Sequence, residues 1–128
     1  TKRDSKGHVI EYQKRNNTYV SRIYGHNKTY LVAEIENATY SSIEALSAFG
    51  TNFNLTNGLS ISQKTALKGI SGTFVSTYTY DPLVGIIDMT DSKDYTTSYE
   101  YDAFNRLKRI KDTNGNIVSE NNYHYKSQ

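Results

Sequence analysis

The sequence predicts a mainly β protein built of antiparallel β-hairpins, with two short helices in its middle, at about residues 41–50 and 61–70. Three observations carry this. Aromatic and β-branched residues alternate with polar ones in short runs. Asn- and Gly-rich turn signals separate those runs. A strand ending in Tyr-x-Tyr returns three times in the last part of the chain, closing at Tyr80, Tyr101 and Tyr125, at steps of 21 and 24 residues. Fixed spacing of this kind marks an architecture that stacks one supersecondary unit on the next.

The N-terminal strands are expected within 7–36. Val9, Ile10 and Tyr12 begin the first, and Asn16-Asn17 makes a turn. Tyr19, Val20, Ile23 and Tyr24 form the second, ended by Gly25-His26-Asn27. Leu31, Ala33 and Ile35 alternate with polar or smaller neighbours and form the third.

A helical insert is expected over 40–72. Ser41-Ser42-Ile43-Glu44 has the form of a capping box, in which a Ser side chain accepts from a free helix N–H and Glu44 reaches back to the cap. Ile43, Leu46 and Phe49 follow at helical spacing, and Gly50 can end the helix. Ser60-Ile61-Ser62-Gln63 repeats the capping-box form. Ile61, Leu67 and Ile70 make the second apolar stripe, stopped by Gly69 or Gly72. Helices this short need a sheet to dock on.

From 73 to 126 the chain reads as hairpins again, completing a single domain over 1–128. Phe74, Tyr78 and Tyr80 share one face of a strand, and Tyr95, Tyr99 and Tyr101 one face of another. Tyr123-His124-Tyr125 closes a third. Shorter strands lie between them, at Val84 to Met89 and Arg106 to Lys111, each followed by a turn. Asn114-Gly115 in the second of these turns is a strong hairpin signal.

Tyr99-Glu100-Tyr101-Asp102-Ala103-Phe104-Asn105-Arg106-Leu107, followed by Asp112, Gly115 and a return to Tyr-x-Tyr, resembles the YD repeat of the RHS family, whose pattern is Y-x-Y-D-x-x-G-R-L. Asn105 stands where the family usually has Gly, and Asn tolerates the left-handed backbone the turn needs. Tyr78, Tyr80, Asp81 and Gly85 form an earlier copy that keeps a Gly but lacks the Arg-Leu pair. The resemblance covers 74–126, and 7–40 more weakly resemble the region before such repeats in large secreted or surface proteins of Bacteroidetes-like bacteria. It implies a sheet that winds into a spiral or shell, as in bacterial polymorphic toxins, insecticidal toxin complexes and teneurins. The repeat residues it marks are Tyr78, Tyr80, Asp81, Gly85, Tyr99, Tyr101, Asp102, Arg106, Leu107, Asp112, Gly115, Tyr123 and Tyr125. The family's self-cleaving aspartates belong to a segment with no match here, so no catalytic residue carries over.

Composition excludes several other functions. Net charge is +2 with both signs interspersed, unlike the clustered basic face of a nucleic-acid binder. No apolar run approaches the ~20 residues that span a bilayer. No signal peptide is visible, and the chain, starting at Thr1, reads as part of something longer. There is no Cys. Tyr supplies 12 of the 16 aromatics, which suits half-buried sheet faces. His8, His26 and His124 fit no metal spacing. Asp112-Thr113-Asn114-Gly115 lacks the acidic residue that closes a calcium loop, and Asp88, Asp91 and Asp94 read as solvated turn carboxylates. The four Asn-x-Thr sequons, at Asn16, Asn27, Asn37 and Asn54, matter only in a eukaryotic secretory host.

The expected function is therefore that of a structural module, shell or scaffold, in a larger secreted or cell-surface bacterial protein. No catalytic, cofactor-binding or metal residue is expected. Its partners are neighbouring repeats of the parent chain and, through open sheet edges, a second copy. The alternative is a carbohydrate- or protein-binding module using an exposed tyrosine face.

Overall fold

A computed structural model of the chain describes residues 1–120. It contains one antiparallel sheet of nine strands in strict chain order. The strands are β1 Lys2–Arg3, β2 Val9–Gln13, β3 Tyr19–Gly25, β4 Tyr30–Glu36, β5 Phe74–Asp81, β6 Gly85–Thr90, β7 Thr96–Tyr101, β8 Leu107–Lys111 and β9 Ile117–Glu120. Two helices, α1 Tyr40–Glu44 and α2 Ile61–Lys68, fall between β4 and β5, which pair directly. The insert is thus one greatly enlarged hairpin loop. The mainly β fold with two short central helices is as the sequence predicts. β1 is an addition, and the third Tyr-x-Tyr, at Tyr123 and Tyr125, lies outside the described residues.

The core lies where the insert folds back onto the sheet. Registers Ser21↔Ile35 and Ile23↔Ala33 continue into Ile35↔Val75 and Ala33↔Thr77, aligning these residues across β3, β4 and β5. Ile43 of α1, Leu67 of α2 and Leu55 of the connector close over Ile23, Val32, Ala33, Ile35 and Val75. Each of these Ile, Leu and Val side chains contributes roughly 1.5–3 kcal/mol on full burial. None of the buried core side chains among the described residues comes from β6 to β9.

Local detail departs from the sequence reading in three places. The cap of α1 is Thr39, whose side chain accepts from the Ser42 N–H, and Glu44 instead accepts from the Asn52 N–H at 2.7 Å. The helix stops at Glu44, so Leu46 and Phe49 pack from turns that end at Gly50. Ile61 is exposed at the start of α2, because the Ser60–Gln63 capping box turns the stripe so that Leu67 and Ile70 alone face the sheet. In β4 a bulge pairs Ile23 with Ala33 but Tyr24 with Leu31. The extra residue, Val32, is buried and Leu31 is not, so simple alternation fails there.

Candidate functional site

The most ordered chemistry in the chain is a turn that recurs. At Asp102 the backbone N–H donates to the Arg106 carbonyl, and the Asn105 N–H donates back to the Asp102 carbonyl. The Asp102 carboxylate accepts the N–H groups of Phe104 at 2.8 Å and Arg106 at 3.1 Å. A short polar side chain can reach its own backbone two residues on, which is why Asp suits this place. Asn105 closes the turn at φ 61°, the left-handed conformation of a hairpin with a bulged third loop residue. The same bonds recur at Asp4, Asp91 and Asp112, with Gly7, Asp94 and Gly115 in the left-handed place. Asp81 keeps one of its carboxylate bonds, from the Leu83 N–H. Its Val84 occupies the place of Asn105, so Gly85 is one residue late and corresponds to Arg106.

A bulge flanks the turns at Asp4, Gly25, Asp81, Asp102 and Asp112, but not the one at Asp91. Thr79 and Tyr80 face Asp88 and Ile86, leaving Ile87 over; Glu100 and Tyr101 face Arg109 and Leu107, leaving Lys108 over. Ile23 and Tyr24 do the same around Val32, and Lys2 and Arg3 around Ile10. The shifts at Arg3 and Tyr24 stand 21 residues apart, as do those at Tyr80 and Tyr101.

The second tyrosine then rests on the start of the preceding hairpin's return strand. The Tyr101 hydroxyl donates to the Ile86 carbonyl at 2.7 Å, beside Gly85. Tyr80 stacks on Tyr30 with centroids 5.0 Å apart. Tyr24 stacks on His8 at 4.1 Å. The contact partner differs each time, but the place in the unit is constant.

The RHS repeat family matches residues 84–117, from the turn before β6 to the first residue of β9. The chain carries an RHS repeat. No curated protein matches the chain. Such repeats occur in series, so this one belongs with neighbouring repeats in a larger protein. The matched span contains Tyr99, Tyr101, Asp102, Arg106, Leu107, Asp112 and Gly115; Tyr78, Tyr80 and Asp81 precede it.

Electrostatics reinforce the repeat turn. Burial opposes ionisation of Asp102, but the N–H groups of Arg106 and Phe104, and then the Arg106 guanidinium at 2.9 Å, outweigh it and hold the carboxyl below its ordinary range. Asp4 is alike: burial opposes, and the His8 ring at 2.9 Å with the N–H groups of His8 and Lys6 prevails. His8 therefore takes the place of Arg106. Arg106 also lies over the Phe104 ring at 5.2 Å. On β7 and β8, Glu100 pairs with Lys111 at 2.9 Å and Arg109 at 3.6 Å.

Tyr78, Tyr80, Tyr99 and Tyr101 are all half-buried. Desolvation pushes the phenols of Tyr78, Tyr80 and Tyr101 up. Phe74 and Tyr95, expected on the same faces, are 55% and 58% exposed at the strand starts. Asp112 spends its carboxylate on the turn N–H groups of Asn114 and Asn116. Among the described residues, no group of three or more His, Asp or Glu could hold a metal ion. Sequence reasoning missed Asp4, His8 and Tyr24 as repeat positions. The signal was available: Asp-x-x-Gly-His-Val at Asp4 has the spacing of Asp102-x-x-Asn-Arg-Leu.

Proposed function

We propose that the chain is a structural repeat module of a larger exported protein, acting as shell or scaffold with no catalysis of its own. The observation that carries this is one unit, Asp turn, bulge, and tyrosine laid on the preceding hairpin, complete at Tyr80-Asp81 and again at Tyr101-Asp102. Its polar groups are spent inside the chain, the Asp oxygens on turn N–H groups and the Tyr101 hydroxyl on a backbone carbonyl. A catalytic group instead needs atoms aimed at a substrate. The repeat residues, from Tyr78 to Gly115, serve to join one hairpin to the next. No helix of the described residues is long and apolar enough to cross a membrane, and export of the parent protein is the setting in which such repeats act as walls.

A wall of repeats can lose one. Deleting residues 82–102 joins Asp81 to Ala103 and rebuilds Tyr80-Asp81-Ala103-Phe104-Asn105-Arg106-Leu107 around the same turn. The shortened chain should keep β-type circular dichroism and unfold cooperatively. Loss of folded structure would show that the segment is part of an indivisible domain instead.

A further inference from the structure

Among the described residues, a groove opens beside the Asp4 turn. It holds about 460 Å³ and lies where β1 and its turn, the β3–β4 turn and the helical insert meet. Three cations line it: Lys2, Arg3 and Lys28. Each donates to a neutral oxygen. Lys2 donates to the Ser41 hydroxyl at 3.2 Å, Arg3 to the Gly7 carbonyl at 3.0 Å, and Lys28 to the Ser5 hydroxyl at 3.1 Å. Against two lining carboxylates, Asp4 and Glu44, the three cations leave the groove one formal positive charge.

Its other components are those of sugar recognition. Tyr40 and Phe53 stack at 5.4 Å and 15°, giving the groove an aromatic side. Burial first, then the nearby Glu44 and Asp4, push the Tyr40 phenol up, so its hydroxyl stays a donor. Glu44 and Asn52 add acceptor and amide groups suited to hydroxyls. Of the two lining carboxylates, Asp4 is spent, its side chain only 7% exposed and its oxygens taken by His8 and turn N–H groups, while Glu44 accepts the Asn52 N–H at 2.7 Å. A bare phosphate would use the cations and leave the aromatic and hydroxyl-binding groups idle. An acidic sugar uses all of them, with its carboxylate on the lysines and its ring and hydroxyls on Tyr40, Phe53, Glu44 and Asn52.

We infer that the groove between the N-terminal hairpin and the helical insert binds a uronic-acid unit of an acidic polysaccharide. This goes beyond the scaffold role and does not depend on it. The test is calorimetric titration of the 128-residue chain with tetragalacturonate, with neutral cellotetraose and with a tetraglutamate peptide. Tetragalacturonate should bind, and the other two should not. Lys2→Glu and Lys28→Gln should each weaken binding about tenfold, whereas Lys93→Glu, in a distant exposed turn, should not. Amide shifts on binding should fall on residues 2–5, 28 and 40–53, and unchanged melting of each variant shows that the fold is intact. Absence of binding, equal binding of tetraglutamate, or equal loss from Lys93→Glu would overturn the assignment.

Discussion

At the scale of single residues, the turn aspartates and the Tyr101–Gly85 contact hold the most information. A carboxyl with a depressed folded-state value contributes stability that is present above its unfolded value, near 4, and is lost as pH falls through the folded one. Asp102→Asn should therefore lower the melting temperature at pH 7, and the gap from the parent should close as pH drops below about 4. Thermal melts across pH 2–7, the range set by that value, check this. Gly85 sits at φ 142°, and an added Cβ would stand 3.1 Å from the Tyr101 hydroxyl. Gly85→Ala should cost about 1–3 kcal/mol in urea unfolding, through backbone strain and displacement of that hydroxyl. Asn105 was legible from sequence as a left-handed residue, because Asn and Gly share that freedom. Val84 was not: the place matching Asn105 is filled there by a β-branched residue, so the Gly one step later drew the eye.

At the scale of elements, patterning foretold most strands and both helices, and missed what depends on register. Alternation in β4 breaks at Val32, since a bulge adds a residue that only pairing with β3 reveals. The α1 cap lies two residues before Ser41, because Thr39, Ser41 and Ser42 are all competent caps, and the buried place of Ile43 chooses among them. In α2 the box was readable, since Ser60 and Gln63 satisfy each other locally, at 3.1 Å and 2.9 Å. Ser60→Ala should destabilise the protein by about 1 kcal/mol, and it should do so by loosening Leu67 from the core. Hydrogen exchange should show the loss of protection concentrated in α2 and β5, which the helix contacts. Loss spread evenly over β6 to β9 would contradict it.

At the scale of the whole molecule, one antiparallel sheet runs through the described residues, and the buried core covers only its first part. Burial by the insert secures β3 to β5, while β6 to β9 rely on cross-strand pairs and on the recurring turn. Each cross-strand pair contributes only ~0.2–1 kcal/mol, so the outer hairpins need the tyrosine that ties each to its predecessor. The 21-residue step was readable at Tyr80 and Tyr101 because the side chains repeat. It was harder to read at Arg3 and Tyr24, where each site keeps only half of the Tyr-Asp pair, Asp4 without the tyrosine and Tyr24 without the aspartate. Unfolding of Tyr101→Ala in urea tests the account most directly. Loss of about 1–3 kcal/mol is predicted, with Tyr101→Phe losing about 1 kcal/mol through the Ile86 carbonyl it leaves unpaired. A folded Tyr101→Ala protein with unchanged stability would contradict the joining role of the repeat tyrosine.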